Sequence, residues 1–422
     1  MNFFHIFFTL NSILIFANCQ NIPDSRFEQA GVLVNEKIYF FGGILQNKSH
    51  NNEVWYLDFS NSFNITSPSW HKDVELPIKY DLGASCVSLI DNFTVFLIGG
   101  RISPKNYSSS ILVFNSKISQ WSILNATGFN SSFASRIAIQ SIINNYGKIF
   151  IFGGRTQGKS TWFNDMNVLD ITTMTWTTLS QPQDITKSVE YASVLSNNQI
   201  IYIGGRINSG KSLIDMNNIR IFDTKSLNWS IKNASGDNIS ARLGHSAVLT
   251  QNGDIIIYGG TENSTTSATF VSSPQVIPLI AILNTNTWMW SNPNISQTNA
   301  PPSLAFHSSV LYKNYMIIAF GQIITASSFV TSNNVYILDI QNYAWVTSVN
   351  SENPSQPTVT SSQTSVNLAG DKPSIHNLLF IGIGIGVGSI ILIGILSFAG
   401  FILYKKWHQK LEIIPTPGNI FP

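Results

Sequence analysis

Charged side chains are scarce: 24 Lys+Arg and 22 Asp+Glu in 422 residues make 11%, where an ordinary soluble domain carries roughly 25%. The net charge is only +2, and no basic run or face is present to neutralise phosphates, which excludes nucleic-acid binding. Cysteine is nearly absent as well. Cys19 falls in a segment expected to be removed, so Cys86 stands unpaired and a disulfide scaffold is excluded. No HExxH, no zinc-ligand spacing and no Ser/His/Asp order occurs. Apolar mass, by contrast, is ample: 44% of the residues are hydrophobic and 12% aromatic, enough for a large core and too much for a disordered chain.

Two apolar segments bracket the rest. Residues 3–17, FFHIFFTLNSILIFA, with the small residues Ala17 and Cys19 at the minus-three and minus-one positions before Gln20, read as a signal peptide over 1–19, although no Lys or Arg precedes the run. Residues 378–404 carry no ionisable side chain apart from Tyr404, and 27 residues exceed the roughly 20 needed to cross hydrocarbon. They read as a transmembrane helix. Lys405, Lys406 and Lys410 follow at once, so the short basic tail, 405–422, is expected in the cytosol and the bulk of the chain outside it, a single-pass type I topology. Gly382 with Gly386 and Gly384 with Gly388 have GxxxG spacing, which would let two helices pair as a homodimer. Eleven Asn-x-Ser/Thr sequons lie between the two segments, at Asn47, Asn64, Asn92, Asn106, Asn125, Asn130, Asn228, Asn233, Asn238, Asn263 and Asn294, as expected of a glycosylated ectodomain. Residues 351–377 are Ser, Thr and Pro with almost nothing large and apolar, and read as an extended stalk.

Between Gln20 and Asn350 the chain repeats itself. A hydrophobic run ending in two glycines recurs at Gly42-Gly43, Gly99-Gly100, Gly153-Gly154, Gly204-Gly205 and Gly259-Gly260; a sixth copy, MIIAFGQ, ends at Gly321, read here with Gln322 in place of the second glycine. A second run then ends in Asp58, Asn115, Asp170, Asp223, Asn284 or Asp339, and a tryptophan follows, at Trp121, Trp176, Trp229, Trp290 and Trp345, six residues on, with an insertion delaying the first to Trp70. Successive tryptophans are 51, 55, 53, 61 and 55 residues apart, the spacing of propeller blades. A weaker strand opens each unit and joins the Gly-Gly strand through a short link, usually centred on Asn, which tolerates the positive φ of a tight hairpin. Four short strands per unit, with no helical period, predict a four-stranded blade.

The Gly-Gly pair after an apolar strand, the Asp six residues before a Trp, and Gly244-His245-Ser246 resemble kelch repeats. The resemblance covers roughly residues 22–350 and implies an all-β fold, a six-bladed kelch-type β-propeller with seven blades as the alternative count, followed by one C-terminal transmembrane helix. The Trp-Asp dipeptide of WD40 repeats is absent. The repeat glycines and tryptophans are expected to be structural, the glycines letting neighbouring backbones approach and the tryptophans filling the wedges between blades. Cys86 is expected to be a buried small hydrophobe.

Two segments imitate phosphate loops, Gly153–Ser160 and Gly205–Ser212, both GxxxxGK[ST]. Each is followed by a strand pattern where a phosphate loop needs a helix, so nucleotide binding is not expected. Kelch propellers are also similar to the central domain of galactose oxidase, which implies a copper enzyme as the alternative reading. Its ligand set needs two His, two Tyr and a Cys, and only His50, His71, His245, His307 and Cys86 are available. No metal and no cofactor is therefore expected. The links after the Gly-Gly pairs are long, and long loops on a rigid frame are where binding is usually built. Arg101, Arg155 and Arg206 directly follow the pair in three consecutive units. They are the candidate binding residues, for a partner of unknown identity, protein or glycan, bound without catalysis at the cell surface or in the secretory pathway. A secretory-pathway adaptor is the third reading.

Overall fold

Runs such as KIYFF (Lys37–Phe41), KIFIF (Lys148–Phe152) and QIIYI (Gln199–Ile203) are β-branched and aromatic on both faces, and each is buried on both faces after its first residue. A strand of that kind needs neighbours on either side and sheets above and below it. In the computed structural model it has them. The structure describes residues 22–103, 111–129, 133, 136–157, 161–180, 185–207, 212–262, 275–325 and 330–349. The expected signal peptide, stalk, transmembrane helix and tail lie outside the described residues, as do Asn106, Asn130 and Asn263. Among the described residues no helix is long and apolar enough to cross a membrane.

Six antiparallel four-strand arrays follow one another along the chain. Sheet 1 is Ala30–Val34, Lys37–Phe41, Val54–Asp58 and Trp70–Asp73; sheet 2 is Ala84–Val87, Thr94–Ile98, Ile111–Asn115 and Gln120–Leu124; sheet 3 is Ser141–Ile143, Lys148–Phe152, Met166–Asp170 and Thr175–Leu179. Sheet 4 is Ala192–Ser196, Gln199–Ile203, Asn218–Asp223 and Trp229–Asn233; sheet 5 is Ser246–Leu249, Asp254–Tyr258, Ile280–Asn284 and Met289–Ser291, with Ser235–Gly236 added in parallel at its outer edge; sheet 6 is Ser308–Tyr312, Tyr315–Ala319, Val335–Asp339 and Ala344–Val346. The first strands neighbour one another in turn, and that of sheet 6 returns to that of sheet 1. The array is therefore closed, so that each sheet has a neighbour on both faces and only short edges remain, at the axis and at the rim.

Two rings of backbone hydrogen bonds close it. In the first, the second glycine of each pair donates to a carbonyl of the next unit: Gly43 to Tyr80, Gly100 to Arg136, Gly154 to Ser188, Gly205 to Arg242, Gly260 to Leu304 and Gly321 back to Arg26, all at 2.8–3.1 Å. In the second, the residue two further on bonds its counterpart: Leu82 N–H to Glu28, Ala138 to Leu82, Glu190 to Ala138, Gly244 to Glu190, Phe306 to Gly244 and Glu28 to Phe306, at 2.7–3.2 Å. These six residues form a collar about the axis. All six hold φ between 55° and 63°, although only Gly244 is a glycine.

The first ring corrects the reading of the sixth repeat. Gly321, with φ of 100°, makes the bond of a second glycine, and Phe320, with φ of 63°, stands where the other units have their first. Gln322 thus occupies the position of Arg101, Arg155 and Arg206. In the other five units the first position is glycine, whose backbone nearly touches the next unit: a Cβ on Gly42 would sit 2.0 Å from the Tyr80 carbonyl oxygen.

The recurrent Asp or Asn also has a physical cause. In every unit its Oδ1 accepts the backbone N–H two residues on, from Ser60, Lys117, Thr172, Lys225, Asn286 or Gln341, and so folds the turn between the third and fourth strands. The tryptophans then fall on the fourth strand and face the preceding sheet. Six apolar clusters, one per junction, form the core, and Trp70, Trp121, Trp176, Trp229, Trp290 and Trp345 each pack in or against the cluster shared with the preceding sheet. Trp290 is the most enclosed and donates its Nε1–H to the Met216 carbonyl of sheet 4 at 3.0 Å.

Candidate functional site

The segment after each Gly-Gly pair turns back and pairs with the segment that enters its own sheet. Ile44–Leu45 pairs with Arg26–Phe27, Arg101–Ser103 with Lys79–Asp81, Arg155–Thr156 with Arg136–Ile137, Arg206–Ile207 with Ser188–Val189, and Gln322–Ile323 with Leu304–Ala305. These ribbons put the long links and the connections between sheets on one face, around the collar.

Buried arginines hold the ribbons in place. Arg26, Arg136 and Arg242 are fully buried, and each donates Nη1–H to the carbonyl of its own unit's first glycine, Gly42, Gly153 or Gly259, at 3.1–3.2 Å. Arg26 is also paired with Glu53 at 2.7 Å, and Arg136 with Asp165. Sheet 4 has Ser188 at that position, and Arg220 from its third strand reaches both Ser188 Oγ, at 2.7 Å, and the Gly204 carbonyl. Burial lowers the pKa of all four guanidinium groups, those of Arg220 and Arg242 to about 10.

The three candidate arginines do come together, but they fold inward, toward the axis. Arg206 is buried, with Nη2 2.7 Å from Glu190 Oε1 and its guanidinium 5.6 Å from the Trp162 ring centroid. Arg101 is half-buried, with Nε 3.4 Å from the fully buried Asp81, whose other oxygen is 2.6 Å from His50 Nδ1. Arg155 lies between them, close enough to feel Glu190, Arg206 and Glu28, and its buried Nε–H has no hydrogen-bond partner. Sequence reasoning did not foresee the acids. Glu28 and Glu190 occupy the collar position that Gly244 holds in the Gly-His-Ser unit, first and fourth of six, and so face each other across the axis.

Glu28 is the odd member of the set. It is only 7% exposed, and both carboxylate oxygens are buried without a hydrogen bond. Desolvation, with Asp81 and Glu190 adding like charge, pushes its pKa up to about 8 against the weaker pull of Arg101 and Arg155. Burial raises Glu190 as well, though Arg206 and Arg155 oppose the shift. Glu28 and Glu190 line an axial cavity of about 90 Å³ with Leu82, Ala138, Phe306 and His307. Beyond the collar a second cavity, of about 120 Å³, runs between the first strands and is lined by Ser85, Ser193, Ser246 and Ser309. His245 and His307 border both cavities, and burial pushes both below the ordinary histidine range, His307 to about 3.

The ligand set for copper does not assemble. Cys86 is buried in the cluster between sheets 2 and 3, with its thiol pushed up to about 12 by desolvation. His50 is committed to Asp81, and His71 stacks on Tyr56 at 4.9 Å between centroids. Among the described residues no group of three or more His, Cys, Asp or Glu is placed to hold a metal ion. The described parts of the two phosphate-loop look-alikes lead into strands, Met166–Asp170 and Asn218–Asp223, with no helix to receive a phosphate.

Sheets closed about an axis by glycine-carbonyl bonds, with one tryptophan per junction and a charged collar on the ribbon face, define a kelch-type β-propeller. A family model, the Attractin/LZTR1 β-propeller, matches residues 95–377, more than half of the chain, and the chain belongs to that family. Among curated proteins it is 26% identical over 314 residues to acyl-CoA-binding domain-containing protein 5 of Arabidopsis thaliana, covering 71% of this chain and 44% of that one. It is 28% identical over 255 residues to kelch domain-containing protein 3 of Rattus norvegicus, covering 56% and 64%. The chain thus spans less than two thirds of these relatives. Among solved structures, YjhT superposes with a TM-score of 0.56 at 16% identity, over 76% of this chain and 97% of that one, a likeness of fold.

Proposed function

We propose that this chain is a single-pass type I membrane glycoprotein whose six-bladed propeller, residues 20–350, binds a protein partner without catalysis at the axial mouth of the ribbon face. The observation that carries this reading is the convergence of Arg101, Arg155 and Arg206 on Asp81, Glu190 and Glu28 at that mouth. Fixed charges of both signs, some unpaired and shielded from water, select a partner of complementary charge pattern. Their positions are held by the two hydrogen-bond rings, which also support a count of six blades. The kelch-type relatives support a protein-binding role in general.

The membrane and glycan parts of the reading rest on other features. The apolar run 378–404 and the lysines after it support the anchor, with the stalk at 351–377. All eight described sequon asparagines, Asn47, Asn64, Asn92, Asn125, Asn228, Asn233, Asn238 and Asn294, are exposed, whereas Asn51, Asn144 and Asn167, outside sequons, are buried. An enzyme that attaches glycans needs that access.

The test is the full chain, tagged at its C-terminus and produced in a eukaryotic secretory host. Removal of N-glycans should increase its gel mobility, and partner proteins crosslinked to the wild type should be lost from Arg155→Ala, which breaks no buried pair. Unchanged mobility would refute the glycoprotein reading; unchanged recovery of partners would refute the binding site.

A further inference from the structure

We propose that the axial mouth is a socket for the ammonium group of a lysine side chain presented by the partner, with Glu28 as its counter-charge. The inference rests on the reading of the ribbon face as the partner-binding face and specifies what enters it. Of the three acids at the mouth, Asp81 is held by His50 and Arg101, and Glu190 by Arg206. Glu28 alone is without a pair. Both its oxygens are buried and accept nothing, and a buried carboxylate left so is costly unless something arrives to satisfy it.

The shape of the cavity narrows the choice of cation. Leu82, Ala138, Ile139 and Phe306 give the 90 Å³ cavity an apolar wall, with Glu28 and Glu190 set into it. A lysine suits that arrangement, since its four-carbon stem lies along apolar surface while the compact ammonium takes a single carboxylate. The planar fork of an arginine needs a wider site than a compact ammonium does, and the cavity holds only about 90 Å³. A metal ion would lack a ligand shell, since among the described residues no group of three or more His, Cys, Asp or Glu is placed to hold one. The charged and titratable groups around Glu28 are Asp81, Glu190, Arg101 and Arg155, with His245 and His307, both pushed toward the neutral form by burial, on the same cavity, so occupation by a cation ionises Glu28, and binding at neutral pH releases a proton.

Calorimetry on the purified full chain tests this, with Nα-acetyl-lysine methylamide as the probe, the norleucine analogue as control, and cadaverine as a free amine. The capped lysine should bind saturably at pH 8 and at least tenfold more weakly at pH 6. Norleucine should not bind, and Glu28→Gln, isosteric and checked by its melting curve, should lose the interaction and the crosslinked partner together. Failure of the wild type to bind, or equal binding by Glu28→Gln, overturns the socket. Binding of cadaverine without capped lysine overturns the partner as the source of the amine. If Glu28→Gln keeps the partner while Arg155→Ala loses it, the socket is wrong and the partner-binding face stands.

Discussion

Replacing Glu28 with Gln should stabilise the protein in mild alkali and leave it unchanged in acid. Glu28 titrates at about 8 in the folded chain, against 4.5 for the free carboxyl. The folded state therefore keeps a proton that the unfolded state loses between those values, and stability falls as pH rises through that window. The span corresponds to about 5 kcal/mol at ~1.4 kcal/mol per pH unit, an upper bound, because water reaching an ionised Glu28 would soften it. Glutamine keeps the shape and never ionises. Melting curves of wild type and Glu28→Gln should coincide near pH 4.5 and separate progressively toward pH 8, the variant melting higher by an amount worth about 2–5 kcal/mol. Parallel curves at every pH would mean that Glu28 is ionised in the folded protein, and the description of a dry, unpaired carboxylate would be wrong.

The other predictions concern the frame. Gly42→Ala places a Cβ 2.0 Å from the Tyr80 carbonyl at a φ of 63° and should prevent recovery of a cooperatively melting protein. Trp290→Ala empties the junction between sheets 4 and 5 and should cost about 3–5 kcal/mol in thermal or denaturant melts, more than Trp121→Ala at a half-exposed position. Arg220→Met leaves Ser188 Oγ and the Gly204 carbonyl without their donor and should lower stability by about 1–3 kcal/mol in the same assay. The Cys86 thiol, buried and shifted to about 12, should be inert to a thiol reagent at pH 8 in the folded protein and react at once after unfolding.

Most of the frame was legible in the sequence because each repeat element does one local job. The glycines permit a backbone contact, the Asp or Asn folds a turn, and the tryptophan fills a junction, so all three recur at fixed spacing. Position in the ring was harder to read. The sixth repeat was shifted by one residue because Phe320 adopts the conformation that glycine holds elsewhere, which the letters do not reveal. Arg101, Arg155 and Arg206 were found because they share a repeat position, but their inward turn was not, since it depends on acids contributed by other units. Glu28 and Glu190 sit 162 residues apart in sequence and opposite each other only once six units close. Aligning every unit on Gly244-His245-Ser246 would have exposed two glutamates in a glycine position. Arg220 escaped notice for a related reason: it replaces, from another strand, an arginine that its own unit lacks.

The central claim, that a partner engages the axial mouth of the ribbon face, is tested most directly by site-specific photocrosslinking of the full chain in the eukaryotic host that produces it. The photoreactive residue is placed singly at Lys48 or Ser212, exposed on the ribbons, or at Ile231 or Met289, exposed on the outermost strands. Adducts of one discrete mass from Lys48 and Ser212, with none from Ile231 or Met289, are the predicted result. Adducts from the outermost strands alone would place the partner on the rim and contradict the account.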